Sequence, residues 1–218
     1  MQEQTYKLDP AFTVSEERTL RELFPATHDL ALKKCQSKLD KHARDFIERS
    51  PFLCLGTQSA DGKADVSPRG DPPGFVKILD QRTLAIPDRP GNNRLDSLAN
   101  ILANPSVGLL FIIPGFDDTL RVNGKASLIT DPELLESMSV GGRSPRIAII
   151  VEVTSVFMHC AKAFRRSRLW DPNHHQDRAD MPSLMEIILD QTTGSPEDQL
   201  EMRKLDEALE DEYKNTMY

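Results

Sequence analysis

The sequence is poor in aromatic residues and cysteines, and it contains no long apolar run. Of its 218 residues, 6% are aromatic and three are cysteines. No stretch approaches the roughly 20 apolar residues that a membrane-spanning helix needs, which excludes a transmembrane protein. The start, MQEQTYKLDP, lacks a basic segment followed by an apolar core, so we expect no signal peptide and a cytoplasmic location.

The cysteines and histidines do not form a recognisable metal or disulfide pattern. Cys35, Cys54 and Cys160 are an odd, widely spaced set, and we predict that they are buried, reduced thiols. The pairs His159-Cys160 and His174-His175 carry side chains that bind zinc, but their spacing fits no closed site. We therefore predict no metal.

The excess of acidic charge lies at one end of the chain. The net charge is −7, from 27 basic and 34 acidic side chains, and residues 181–218 hold 10 of the acidic and 3 of the basic ones. A pI near 5.3 disfavours a nucleic-acid binder, which needs a basic face. The body is thus neutral, and the acidic segment is either a partner-docking arm or a solvated surface that covers the body.

Apolar periodicity divides the chain into three parts. Residues 1–49 are predicted to be a helical segment that packs on the next part, with a short helix near 14–23 and a longer one near 28–49. Residues 173–218 are predicted to form the acidic arm, with one helix over 181–189 and a second that starts with Ser195 as its N-cap.

The middle part, residues 50–172, is predicted to be mainly β. Its apolar runs, separated by turn signals, predict three hairpins followed by a strand that is apolar on both faces and therefore central in its sheet. The hairpin strands are 52–57 with 64–67, 74–79 with 83–87, and 107–113 with 119–129, and the last strand is 146–157. With one internal helix near 93–103, this pattern favours an antiparallel barrel or sandwich with flanking helices.

Arginines and asparagines gather where these strands end and where the internal helix begins. Ser67 and Arg69 close the second strand, and the run Asp88–Arg94 (DRPGNNR) leads into the helix. The free N–H groups and the dipole of a helix N-terminus attract an anion, and guanidinium groups suit a phosphate monoester. The alternative is structural: Asn92 caps the helix, and the arginines pair with Asp71, Asp88 and Asp96.

A further arginine, Arg121, lies in the predicted strand 119–129. Its neighbours Leu120 and Val122 are apolar, so its side chain is expected to point away from theirs. A charge in that position needs a ligand or a carboxylate partner. We expect Arg69, Arg89, Arg94 and Arg121 to converge on one positive site for a phosphorylated ligand.

The blocks VSPRGDPPG, DRPGNNR and LRVNG resemble the flavin-binding segment of the pyridoxamine 5′-phosphate oxidase-like superfamily, and in particular its branch of FMN-dependent proteins. The resemblance covers about residues 28–172. It implies an FMN-binding split β-barrel, antiparallel and Greek-key-like, that forms a homodimer with FMN at the interface. It also implies an FMN-dependent oxidoreductase with a small-molecule substrate, acting on neither nucleic acid nor membrane.

The resemblance also assigns roles to individual residues. Arg69 corresponds to the arginine that reaches the FMN phosphate, Asn93 and Arg94 to the family's Arg-Lys pair, and Arg121 to its strand arginine. Lys162 and Trp170 match residues close to the flavin, and Lys162 is the candidate catalytic residue. The complete set of expected cofactor-binding residues is Ser67, Arg69, Asp88, Arg89, Asn92, Asn93, Arg94, Arg121, Lys162 and Trp170.

The sequence departs from the true oxidases at two places. Thr119 replaces a glutamine that contacts the flavin ring, and the acidic arm replaces the C-terminal substrate segment. Two other functions therefore stay open. One is a non-catalytic protein that binds, stores or senses flavin or haem, and the other is a reductase that uses the deazaflavin F420.

Overall fold

The computed structural model describes residues 6–218. The chain divides into two compact units, Met1–Cys35 and Gln36–Tyr218. The first unit contains a 3-10 turn at Pro10–Phe12 and two short helices, α1 (Glu17–Glu22) and α2 (Asp29–Lys33). None of residues 6–35 is buried.

The second unit contains a seven-stranded sheet and six α-helices. Its elements in chain order are α3 (Lys41–Arg49), β1 (Phe52–Gln58), β2 (Ala64–Gly70), β3 (Lys77–Ile78), β4 (Thr83–Pro87), α4 (Asp96–Ala103), β5 (Ser106–Ile112), β6 (Thr119–Ile129), α5 (Pro132–Glu136), β7 (Ala148–His159), α6 (Lys162–Ser167), α7 (Leu184–Asp190) and α8 (Gln199–Thr216). Among residues 6–218, no helix has the length and apolarity to cross a membrane.

All strand pairs of the sheet are antiparallel, in the order β2-β1-β5-β6-β7-β4-β3. The three predicted hairpins are confirmed as β1 with β2, β3 with β4, and β5 with β6. β7 pairs with β6 on one side and β4 on the other, so the prediction of a central strand is also confirmed. The small helices α5 and α6 were not predicted.

Alternation along the strands separates an inner face from an outer face. Leu53 and Leu55 of β1 and Leu120 and Val122 of β6 are fully buried on the inner face. The helices α3 and α4 add Phe46, Ile47, Leu98 and Ile101 to the same core. Because paired residues of neighbouring strands share a face, Arg69, which pairs with Leu53, points to the inner side.

The predicted single helix over 28–49 is wrong. The structure has α2 and α3 with a break between them, because the backbone of this segment bonds to the sheet region instead. Gln36 forms a two-way bridge with Val156, and Leu39 N–H donates to the carbonyl of Gln81 (2.8 Å). The side chain of Asp40 then caps α3 by accepting from Ala43 N–H.

The predicted N-cap of the last helix is also wrong. α8 begins at Gln199 and is capped by Asp198, whose side chain accepts from Leu200 N–H. Ser195 instead donates to Asp190, a residue of the preceding helix. The Ser-Pro pair therefore lies in the connection between α7 and α8 and does not start the helix.

We predict that Gly124→Ala destabilises the protein. Gly124 lies at a register shift between β6 and β7, and an added Cβ would meet the carbonyl oxygen of Glu152 at 2.3 Å. Relief of such a clash requires backbone movement, so the free energy of unfolding should fall by about 1–3 kcal/mol in urea denaturation. Gly56→Ala is the control, because its added Cβ would lie 3.5 Å from its nearest neighbour, Gly108 O, which is an ordinary van der Waals contact. Equal losses in the two variants would contradict a tight contact at the bulge.

Candidate functional site

A cavity of about 480 Å³ opens between β2, the loop that follows β4, and the start of α4. Its walls include the sequence runs Asp65–Gly70 and Pro87–Leu98. Seven of the predicted cofactor-binding residues line it: Ser67, Arg69, Asp88, Arg89, Asn92, Asn93 and Arg94.

Arg69 is the most informative of these residues. Its side chain is 16% exposed, and its Nη1 forms an ion pair with Asp88. Its Nε atom is buried and has no hydrogen-bond partner within the described residues. Buried N–H groups are nearly always satisfied, so an unsatisfied one that belongs to a cavity-lining residue indicates a ligand.

Arg89 has its donors turned toward the protein. Nε donates to Asp71 Oδ2 (2.6 Å), and Nη2 donates to the carbonyl of Met138 (2.8 Å). The side chains of Arg89 and Asp71 are only 15% and 1% exposed. The structural alternative had paired Arg89 with Asp88 and Arg69 with Asp71, and the structure exchanges these partners.

The loop between Arg89 and α4 has an unusual backbone. Asn93 and Leu95 have φ angles of 56° and 59°, a left-handed conformation that costs energy for a side chain other than glycine. Asn92 does not cap α4; its side chain accepts from Arg94 N–H (3.1 Å). No side chain caps α4 among residues 6–218, so its first N–H groups have no side-chain acceptor. Leu95, Asp96 and Ser97, at the start of this helix, line the cavity.

Arg94 is exposed at the mouth of the cavity, with 72% of its side chain accessible. Its Nε donates to Asp96 Oδ2 (2.7 Å), as the structural alternative expected. The hydrogen bond that Arg94 donates to Asp96 raises the pKa of this guanidinium. Because the pair is exposed, Arg94 can turn toward a ligand at little cost.

One polar residue of the cavity wall, Asp65, was not among the residues predicted from the sequence. Asp65 lines the cavity and accepts hydrogen bonds from Ser97 Oγ (2.8 Å) and Thr57 Oγ1 (3.2 Å), which ties the start of α4 to β1 and β2. Asp65 alternates with Ser67 and Arg69 along β2, and this period of two could have identified it. Asp65 is a carboxylate in addition to Asp88, Asp71 and Asp96, which pair with Arg69, Arg89 and Arg94.

Within one chain, the cavity brings together three of the four arginines that were expected to converge, and Arg121 lies elsewhere. Arg121 pairs with Leu110 and Phe157 on the outer face of the sheet, whereas Arg69 points to the inner face, and Arg121 is not among the cavity-lining residues. Its guanidinium lies 5.0 Å from the centre of the Phe157 ring. Its Nε is buried and, like that of Arg69, has no hydrogen-bond partner among residues 6–218.

Lys162 and Trp170 also lie outside this cavity. Lys162 is the first residue of α6 and is exposed. The indole N–H of Trp170 donates to the carbonyl of Phe116 (2.8 Å), and its ring lies 5.8 Å from that of Phe164. Trp170 is thus anchored to the turn that joins β5 to β6.

The cysteines differ from expectation in one respect. Cys35 and Cys160 are exposed, and Cys54 is half-buried, so the predicted burial of the three thiols is wrong. Within the described part of the chain, residues 6–218, His, Cys, Asp and Glu side chains form no group of three or more that could hold a metal ion.

Comparison with known proteins identifies the family. A family model described as pyridoxamine 5′-phosphate oxidase matches residues 39–160, more than half of the chain. The chain belongs to the pyridoxamine 5′-phosphate oxidase family. The match covers β1 to β7 and the whole cavity, and it confirms the resemblance carried by the DRPGNNR and LRVNG blocks.

Membership of the pyridoxamine 5′-phosphate oxidase family also confirms the fold class. The seven-stranded antiparallel sheet with flanking helices is the split β-barrel of this FMN-binding family. A search of curated proteins gave no match to the chain.

Solved structures resemble the chain at low sequence identity. HupZ from Group A Streptococcus is 20% identical, covers 55% of this chain and 93% of its own, and gives a TM-score of 0.45. An FMN-binding protein from Syntrophomonas wolfei subsp. wolfei is 10% identical, with 66% and 96% covered and a TM-score of 0.42. HutZ, the haem storage protein from Vibrio cholerae, is 15% identical, with 56% and 94% covered and a TM-score of 0.40.

We predict that Asp71→Ala strongly destabilises the protein, because it leaves the guanidinium of Arg89 buried without its counter-ion. Loss of one partner of a buried pair costs about 3–5 kcal/mol of unfolding free energy, which chemical denaturation measures. The control is Asp45→Ala, which breaks the exposed pair with Arg49 and should cost at most about 1 kcal/mol. Similar losses for both variants would contradict a structural role for the Asp71–Arg89 pair.

Proposed function

We propose that the protein is an FMN-binding flavoprotein of the cytoplasm, and that it acts as an FMN-dependent oxidoreductase on a small molecule. The cavity beside Arg69 would hold the 5′-phosphate of FMN. The observation that carries this proposal is the buried, unsatisfied Nε of Arg69 in the wall of a cavity that also contains the uncapped start of α4.

The residues of the cavity fit a phosphate monoester. Arg69 can offer its Nε to one oxygen while Nη1 stays on Asp88, which fixes the direction of the guanidinium. The N–H groups at the start of α4 and the helix dipole favour an anion at the same place. Asn92, Asn93 and Arg94 line the remaining wall and can add donors.

The protein's own contribution to the reaction is binding and orientation. When bound, the isoalloxazine ring of FMN supplies the hydride- and electron-accepting chemistry. Lys162 is the candidate to place a positive charge near the ring, and its exposed position leaves it accessible to a ligand that approaches from solvent. Trp170, held by Phe116, offers a fixed aromatic surface for stacking.

We further propose a homodimer in which FMN lies between the two copies. The outer face of the sheet bears apolar side chains that are only half-buried, among them Cys54, Leu110 and Phe157. Arg121 lies in the same row with its Nε unsatisfied among the described residues. A second copy on this face would cover these residues and could bring Arg121 to a cofactor whose phosphate is held by its partner.

We predict that wild-type protein binds FMN more tightly than riboflavin, and that Arg69→Gln removes most of this preference. Riboflavin lacks the phosphate, so the difference between the two ligands isolates the phosphate contact. Charged hydrogen bonds contribute about 1.5–3 kcal/mol, so FMN binding should weaken about 10- to 100-fold while riboflavin binding stays constant. Quenching of flavin fluorescence measures both constants.

Arg49→Gln is the matched control for this experiment, because Arg49 is exposed on α3 and pairs with Asp45. It should bind both ligands like the wild type. If the wild-type protein binds neither flavin, or if Arg69→Gln leaves the FMN preference intact, the proposed phosphate site is wrong.

We predict that Leu110→Glu converts the protein to monomers and weakens FMN binding. Leu110 is half-buried at the centre of the outer face, so a carboxylate there would be desolvated in a dimer but solvated in a monomer. Light scattering coupled to size exclusion gives the mass. Leu102→Glu, at a residue that is 76% exposed on α4, should stay dimeric. A wild-type monomer loaded with FMN would contradict the interface.

A further inference from the structure

One cluster of contacts around the buried carboxylate of Asp71, beside the cavity, has no role in the proposed reaction. It consists of Asp71, Arg89, Met138, Arg143 and Tyr218, and we call it the Asp71 cluster. Its members come from the residue after β2, the loop before α4, the segment after α5, and the residues after α8. Tyr218 and Asp71 are 147 residues apart in the sequence.

Tyr218 supplies half of the partners of a buried carboxylate. Its phenol donates to Asp71 Oδ1 (2.6 Å), and Arg89 Nε donates to Asp71 Oδ2 (2.6 Å). The Asp71 side chain is 1% exposed, so bulk water does not reach it while both donors are in place. If a buried carboxylate loses a donor, the free energy of its desolvation is no longer offset by that hydrogen bond, and the folded state is destabilised.

Two further contacts hold Tyr218 in this place. Arg143 Nη1 donates to the main-chain carbonyl of Tyr218. The guanidinium of Arg89 lies over the phenol ring, 5.5 Å from its centre, a cation–π geometry. The same guanidinium therefore touches both the carboxylate and the ring, so Tyr218 and Asp71 together determine where Arg89 lies.

The position of Arg89 matters for the cavity because Arg89 lies at the start of the loop that forms one of the cavity walls. Asp88, the ion-pair partner of Arg69, precedes it directly, and the left-handed residues Asn93 and Leu95 follow. Such strained backbone persists only where its surroundings hold it in place. The hydrogen bonds from Arg89 to Asp71 and to the carbonyl of Met138 hold the first part of this loop in place.

We propose that Tyr218 is a positioning residue for the cofactor cavity: the segment after α8 returns to the barrel so that the phenol of Tyr218 fixes Asp71 and Arg89, and with them the loop Asp88–Arg94. α8 has 18 residues and is about 27 Å long, and Tyr218 follows two residues after its end. The acidic arm thereby contributes to cofactor binding without contact to the cofactor. The ligand named in the test below rests on the proposed function.

The protonation of the phenol supports the same arrangement. The hydrogen bond to Asp71 is the main cause that raises the pKa of Tyr218 above its usual value of 10, and Arg89 acts in the opposite direction. Arg143, which donates a hydrogen bond to the main-chain carbonyl of Tyr218, is also a cation. A raised pKa means that the contact stabilises the fold below pH about 10 and is lost as the pH rises through the folded-state value.

The test compares Tyr218→Phe with Tyr213→Phe in the full chain. Tyr213 lies in α8 with 44% exposure, so it controls for loss of a hydroxyl from the same arm. Trypsin cleavage after Arg94 reports opening of the loop, and flavin fluorescence reports binding. We expect Tyr218→Phe to speed cleavage at Arg94 and to weaken FMN binding about tenfold, with little effect on riboflavin, while Tyr213→Phe matches the wild type.

Two results would overturn the proposal. In one, Tyr218→Phe equals Tyr213→Phe in the rate of cleavage after Arg94. In the other, Tyr218→Phe lowers the melting temperature but leaves both cleavage and the FMN preference unchanged, which is a purely structural role. If wild-type protein binds no flavin, the proposed function fails, but the cleavage rates without ligand still decide whether Tyr218 positions the loop.

Discussion

The buried carboxylate of Asp71 is the constraint from which the arrangement of the cavity follows. A carboxylate that water cannot reach needs donors from the protein, and Arg89 and Tyr218 provide them. Arg89 therefore donates its hydrogen bonds to protein acceptors and forms part of the cavity wall. Asp88 then pairs with Arg69, whose buried Nε has no partner among the described residues.

The balance of charges in the cavity bears on what it can bind. Each cavity arginine has a carboxylate partner, so the site of a single chain is not strongly positive. An isolated anion would have to compete with Asp88 and Asp96 for the guanidinium groups. A larger ligand that combines one phosphate with an apolar body gains its affinity from several sources, which suits a flavin nucleotide better than a free phosphate.

Much of the architecture could be predicted from the sequence, because hairpins and central strands depend on local turns and periodicity. The seven cavity residues could be found for the same reason: they lie at a strand end and at a helix start. The pairing of Arg69 with Asp88 and of Arg89 with Asp71 could not be predicted. It depends on contacts between residues far apart in the sequence, such as that of Tyr218 with Asp71 across 147 residues. Arg121 shows a different limit. Its direction relative to Leu120 and Val122 was predicted, but its separation from Arg69 depends on which face each strand turns inward.

The broken helix between residues 28 and 49 has a similar origin. Its apolar residues repeat with helical spacing, yet the backbone of Gln36 and Leu39 finds partners on Val156 and Gln81, and Asp40 restarts the helix. Periodicity describes the side chains that a helix would bury. It carries no information about distant carbonyl groups that compete for the same N–H donors.

The proline in β2 affects how this protein meets other copies of itself. β2 is an edge strand, and Pro68 has no N–H to offer to a strand that might add beside it. The edge is thus a poor template for continuing the sheet into a neighbouring molecule. The proposed homodimer would instead use the outer face of the sheet, where side chains and not backbone groups decide the fit, and such a contact would close a pair of copies rather than an open chain of molecules.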